Sequence, residues 1–319
     1  MPIAPTLKED TMTETRKPWH GVIVATALPF KDDLSVDFDA YAEHVHFLAE
    51  HGCDGVAPNG SLGEYQTLTE QERAQVVRTA VEAAPEGFTV MPGAGAYGGM
   101  ETQRWAEQAA EAGASALMLL PPNSYRATDD DVVQHYRMAA KAGLPIVGYN
   151  NPIDTKVDLT PRLIARLHEE GLMVGVKEFS GDVRRAYEIK ELAPGMDLLI
   201  GTDDTVLEMG LAGAVGWVAG YPNAIPTSTV ELYRLSTSGD LNDLDRAREI
   251  YRGLHSLLRW DSKTEFVQAI KLSMDVVGHH GGMCRPPRGP LSPEIRDRVV
   301  RDTEAAVANG YAPEFAGAL

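Results

Sequence analysis

Lys177 is the residue in this chain best placed to do chemistry. It follows Met173-Val174-Gly175-Val176, an apolar run of strand length, so it sits where a strand leaves the core. Partial desolvation there disfavours the ammonium and frees the amine that attacks a carbonyl or imine carbon to make a Schiff base. Taken alone, a solvated strand-end lysine is the plainer alternative. Tyr149 alters that balance. It closes Pro145-Ile146-Val147-Gly148, the apolar run one unit earlier in the chain. Adjacent parallel strands lie about 5 Å apart, so a phenol and an amine on neighbouring strand ends reach one substrate atom. A carbinolamine must lose water on its way to a Schiff base, and a tyrosine hydroxyl is a competent proton shuttle for that step. The third element is Gly60-Ser61-Leu62-Gly63-Glu64, after another apolar run. Small residues there let backbone N–H groups around Ser61, Leu62 and Gly63 face a carboxylate without a cationic side chain. The Ser61 hydroxyl is also a candidate to pass a proton to Tyr149. Other strand ends add Asn150, Gly201, Asp203 and Val218 as candidate substrate contacts.

These residues need a scaffold that brings strand ends together. Short apolar runs alternate with amphipathic stretches from about residue 20 onward. The runs cover 21–26, 55–58, 88–91, 116–120, 145–149, 173–177, 198–201 and 215–219. Helix-like segments between them begin at Thr69, Thr128 and Thr160, and stop at Gly52, Gly113, Gly143 and Gly171. Eight such units at roughly 30-residue spacing make a βα-repeat architecture. An open doubly wound sheet and a closed barrel both fit; eight repeats without a domain break favour a (β/α)8 TIM barrel. In such barrels reactive groups lie at the C-terminal strand ends. The expected organisation is a loose tail over 1–17, the barrel over 18–237, and a C-terminal helical extension over 238–319.

Composition narrows the partners. Of 319 residues, 29 are Lys or Arg and 46 are Asp or Glu, a net charge of −17. So acidic a chain repels phosphate backbones and anionic lipid, which argues against nucleic acid and membrane partners. With 44% hydrophobic residues it has material for a real core. No apolar run is long enough for a membrane span, and residues 1–17 lack the apolar segment of a signal peptide. Cys53 and Cys284 are the two cysteines, read as free thiols in a reducing, cytoplasmic setting.

Ser61-Leu62-Gly63-Glu64, Tyr149-Asn150-Asn151-Pro152 and Gly175-Val176-Lys177-Glu178 resemble signature segments of the dihydrodipicolinate synthase and N-acetylneuraminate lyase family. Gly201-Thr202-Asp203-Asp204 and Gly216-Trp217-Val218-Ala219-Gly220 match at the following strand ends. The resemblance covers essentially residues 18–310. It implies a barrel with a helical C-terminal region, Lys177 as nucleophile, Tyr149 as general acid/base, and Ser61 with Leu62 as carboxylate site. It also implies a homotetramer, a small 2-oxo-acid or cyclic imine carboxylate substrate, and no metal or organic cofactor. The family's relay tyrosine from a neighbouring subunit aligns near Ser124, which makes Tyr125, one position away, a candidate relay.

Departures from that pattern bear on the substrate. Where the lysine-biosynthetic synthase carries Ser-Arg-Thr, whose arginine holds a second carboxylate, this chain reads Ile153-Asp154-Thr155. Leu62 stands where the synthase has a paired threonine. Tyr149 to Ile153, Lys177 to Arg185, Phe266 to Lys271 and Arg285-Pro286-Pro287-Arg288 resemble most closely the 1-pyrroline-4-hydroxy-2-carboxylate deaminases of hydroxyproline breakdown. The implied products are 2,5-dioxopentanoate and ammonia. The alternatives are an aldolase or dehydratase acting on a 2-keto-3-deoxy sugar acid, then a 4-hydroxy-tetrahydrodipicolinate synthase-like lyase.

Other signals point elsewhere and weigh less. Gly93-Ala94-Gly95-Ala96-Tyr97-Gly98 formally matches a dinucleotide fingerprint, but follows the third strand rather than the first. His279-His280 near Cys284 fits no standard zinc spacing. A catalytically silent sensor on the same barrel is disfavoured by the presence of both Lys177 and Tyr149.

Overall fold

The computed structural model describes residues 16–122 and 126–315. Eight parallel strands form one sheet: β1 (Gly21–Ala25), β2 (Gly55–Ala57), β3 (Thr89–Val90), β4 (Leu117–Leu119), β5 (Ile146–Asn150), β6 (Gly175–Glu178), β7 (Asp197–Ile200) and β8 (Gly216–Ala219). Their order is β3-β2-β1-β8-β7-β6-β5-β4, with every neighbour parallel. The two free edges meet through a parallel bridge between Gly93 and Met118, backed by Ala94 N–H to Met118 O at 3.1 Å. The sheet is therefore a closed (β/α)8 barrel. Its strands read as unbroken apolar runs because both faces are covered, by helices outside and by packed side chains within.

The local sequence explains the alternation. Thr69 and Thr128 each close a reciprocal cap with the carboxylate three residues on, Glu72 and Asp131. Gly143 and Gly171 end their helices at φ 76° and 71°, a backbone region costly for any residue with a Cβ. Two short helices, Pro152–Thr155 and Val206–Leu211, were not anticipated; each spans too few residues to show a 3.6 period. After the barrel come Pro226–Thr237, Leu241–Leu258, Phe266–Val276 and Pro293–Ala308.

Two ends of the fold are tied to it more firmly than their polarity suggests. Arg16 and Lys17, assigned from sequence to a loose tail, pair with Asp54 and Asp197 beneath the barrel. The C-terminal region is stapled to the β2 loop by Lys271 and Glu64, 2.9 Å apart and 1% and 0% exposed. Arg285 adds a second tie, donating to both carboxylate oxygens of Glu72 and to the carbonyls of Leu34 and Thr67. No helix among the described residues is long and apolar enough to cross a membrane.

Candidate active site at the barrel mouth

The register of β5 on β6 sets Tyr149 directly opposite Lys177. Side chains alternate along a strand, so these two face one side while Asn150 and Glu178, next in each strand, face the other. Tyr149 and Lys177 both line a cavity of about 980 Å³ that opens at the C-terminal end of the barrel. Lys177 Nζ lies 4.2 Å from the Tyr149 ring centre and 5.4 Å from that of Phe179. Among the described residues nothing hydrogen-bonds or ion-pairs with this amine. Burial lowers its pKa to about 8, against a partial opposing pull from the Asp261 and Asp203 carboxylates. Burial also raises the Tyr149 phenol far above its ordinary range, so it remains a proton donor at neutral pH.

The Tyr149 hydroxyl oxygen accepts from Asn151 Nδ2 at 3.3 Å, and the same amide donates to Asp154 Oδ2 at 2.7 Å. A phenol that accepts from an amide is left with its own hydrogen free to point elsewhere. Asp154 itself lines the cavity, as do Gly60, Ser61 and Leu62. The β2 turn is bracketed by Asn59 and Glu64, both left-handed at φ 56° and 52°. Within it the backbone N–H groups of Ser61 and Leu62 have no acceptor among the described residues. They form a donor pair next to the amine, of the kind that holds a carboxylate.

Several residues singled out from sequence lie elsewhere. Gly63 is tucked against the backbone of Thr26, whose carbonyl oxygen would lie 3.2 Å from a Cβ at this position. Asn150 is buried on the far face, where its amide donates to Glu178 and accepts from Leu159 N–H. Gly201 presses on the Glu178 carbonyl, 2.2 Å from where a Cβ would sit. Val218 is fully enclosed in the core. None of these four lines the cavity. Asp203 is fully buried, its carboxylate held by Trp217 Nε1 and the N–H groups of Gly220 and Tyr221. Ser124 and Tyr125 fall outside the described residues. The Gly93 to Gly98 loop closes the barrel, since Gly93 carries the bridge to β4. His279 hydrogen-bonds to His44 at 2.7 Å and stacks on Phe47.

Sequence reasoning missed the part of the wall supplied by the C-terminal region. Asp261, Lys263, Arg285 and Arg288 all line the cavity. No local motif marks Asp261. Arg285 and Arg288 belonged to a noted segment, but no spacing rule brings that segment to the mouth.

Fold and cavity together define a (β/α)8-barrel enzyme with a desolvated strand-end amine at its floor. The Dihydrodipicolinate synthetase family matches residues 18–306, and the chain belongs to that family, as a Schiff-base lyase. It is 34% identical to the 4-hydroxy-tetrahydrodipicolinate synthase of Methanothrix thermoacetophila over 279 residues, 86% of this chain and 93% of that protein. The synthase of the same name from Archaeoglobus fulgidus is 31% identical, covering 88% of this chain and 96% of its own. Among solved structures, dihydrodipicolinate synthase from Aquifex aeolicus superposes with a TM-score of 0.85 at 28% identity, covering 92% of this chain and 99% of its own.

Proposed function

We propose that this enzyme deaminates 1-pyrroline-4-hydroxy-2-carboxylate to 2,5-dioxopentanoate and ammonia. One observation carries the reading: the cavity offers a backbone nest for one carboxylate, while Asp154 stands on its wall at the position where the resembled synthase carries the arginine for a second. Besides Lys177, the cavity's cations, Lys263, Arg285 and Arg288, come from the C-terminal region instead, and Arg285 is already paired with Glu72. A second carboxylate seated beside Asp154 would be repelled; a cyclic imine with a single carboxylate would not. Lys177 attacks C2 of the imine, and Tyr149 supplies the proton that lets the ring nitrogen leave. The iminium acidifies C3. Loss of that proton gives an enamine, which expels the 4-hydroxyl as water. In the resulting unsaturated iminium a proton leaves C5 and another is added at C3, giving a C4=C5 enamine that tautomerises to the C5 imine. Hydrolysis of that imine and of the Lys177 link then yields the products. Ser61 and Leu62 hold the carboxylate throughout.

The relatives named 4-hydroxy-tetrahydrodipicolinate synthase favour a second reading, condensation of pyruvate with an aldehyde. Loss of water from a 2-keto-3-deoxy sugar acid is a third, and needs the same amine and phenol. An assay of ammonia release from the hydroxylated pyrroline carboxylate, run beside condensation and keto-deoxy acid assays, discriminates. Ammonia release at a kcat/KM at least about a hundredfold above the other two is the expected result. Efficient condensation without ammonia release would replace the deaminase reading with the synthase one.

A further inference from the structure

Asp261 stands on the cavity wall beside Lys177, yet it comes from the connection between helices Leu241–Leu258 and Phe266–Val276, outside the barrel. Its approach depends on Gly220 at the end of β8. A methyl group built on Gly220 would lie 2.6 Å from Asp261 Oδ1 and 3.3 Å from Asp203 Oδ2, so the glycine is what lets two carboxylates converge there.

The two acids are not equivalent. Asp203 accepts from two backbone N–H groups, that of Gly220 shared between both its oxygens and that of Tyr221, and from an indole, and is fully buried. Asp261 accepts one, a long 3.3 Å bond from Asp203 N–H, and keeps the rest of its carboxyl toward the cavity. It is 7% exposed. Burial holds its pKa above the usual carboxylate range, with the Lys177 charge acting in the opposite direction. With its pKa raised to about 6 this carboxyl is mostly ionised at pH 7, but its protonated fraction is on the order of a hundredfold larger than that of an exposed aspartic acid.

We infer that Asp261 is the catalytic acid that protonates the hydroxyl leaving C4 of the Lys177-bound enamine. In that step the nitrogen lone pair re-forms the C2=N bond and the C2=C3 pair becomes C3=C4. The C4–O bond breaks, and the Asp261 proton completes a molecule of water, leaving Asp261 as carboxylate beside the iminium it helps to balance. Tyr149 is then free for the earlier proton transfers at C2. The inference rests on the proposed reading only in requiring a hydroxyl at C4, which a 2-keto-3-deoxy pentonate also carries.

The test is Asp261→Asn, read in three ways. Borohydride trapping of pyruvate reports Schiff-base formation. Uptake of solvent deuterium at C3 of the pyrroline substrate reports the enamine. Ammonia release reports loss of water. We expect trapping and exchange within about threefold of the unaltered enzyme, with ammonia release down by about 10²–10⁴-fold. Asp261→Glu should recover part of it. Near-unaltered ammonia release overturns the inference, and so does a parallel fall in all three readings by a variant that melts at the unaltered temperature. Should Asp261→Asn not fold, Gly220→Ala displaces the same carboxyl from the barrel side and is read identically.

Running the pentonate alongside separates the two claims. If the unaltered enzyme releases no ammonia but dehydrates the pentonate, and Asp261→Asn blocks that dehydration, the substrate reading fails and the acid stands. If it removes water from neither compound, both fall.

Discussion

Two lysines in this molecule are almost completely withdrawn from water, and their surroundings differ in one respect. Lys271, on the helix Phe266–Val276, meets a buried carboxylate at 2.9 Å, a backbone carbonyl at 2.8 Å and the face of Phe30. Its charge is matched, and it staples two distant parts of the chain. Lys177 has rings on its flanks, carboxylates only at a distance, and no hydrogen-bond partner among the described residues. Burial is common to both. What differs is whether a counter-charge was delivered with it, and that decides whether a buried amine is a clasp or a nucleophile.

The sharpest way to break this contrast is to remove each amine in turn. Lys177→Ala should abolish turnover and borohydride trapping, a loss beyond about 10⁴-fold, while leaving the melting transition nearly in place. A variant that still traps pyruvate would show that another amine is the nucleophile. Tyr149→Phe should keep the fold and slow turnover by roughly two to four orders of magnitude in a steady-state assay. Rates within a few-fold of normal would remove the phenol from the proton path.

Lys271→Met should do the reverse of Lys177→Ala. It strands Glu64 without its partner in the core, at a cost of about 3–5 kcal/mol in denaturant unfolding. Trapping per folded molecule should persist. If Lys271→Met leaves stability unchanged, the clasp description is wrong.

The smallest effect is on pH. With its pKa near 8, Lys177 is neutral in roughly a tenth of molecules at pH 7, against roughly one in three thousand for an ordinary lysine. The trapping rate should therefore climb about tenfold per unit up to pH 8 and flatten above. The folded-state value lies below the unfolded one. Between about pH 8 and 10.5 the unfolded chain thus binds more protons at this group, and its contribution to stability grows with pH across that window. A rate profile still rising at pH 10 would mean that the amine is not desolvated.

How much of this was legible in the sequence depended on distance along the chain. The strand run ahead of Lys177, the run ending at Tyr149 and the caps at Thr69 and Thr128 are local patterns, and local patterns were enough for the barrel and for the meeting of Lys177 and Tyr149 at one cavity. Alternation also set a trap. Asn150 looked like a neighbour of the chemistry because it follows Tyr149, but one step along a strand turns a side chain to the opposite face. Asp203 looked available because it sits at a strand end; only the Gly220 and Tyr221 N–H groups and the Trp217 indole that surround it reveal that it is spoken for. Asp261 had no local signature at all. Its significance is created by Gly220, far away in sequence, and that pairing exists only in three dimensions.

The bond between Lys271 and Glu64 spans 207 positions of chain, and that between Arg285 and Glu64 spans 221. A ribosome delivers Glu64 early and all eight strands well before it delivers Lys271 or Arg285. An emerging chain with its strands complete would thus hold Lys177 and Tyr149 at an unroofed funnel, wet and without Asp261. Reactivity should switch on late in biogenesis, when the final helices dock and shut water out, and slow closure of such long loops makes docking a natural pacing step.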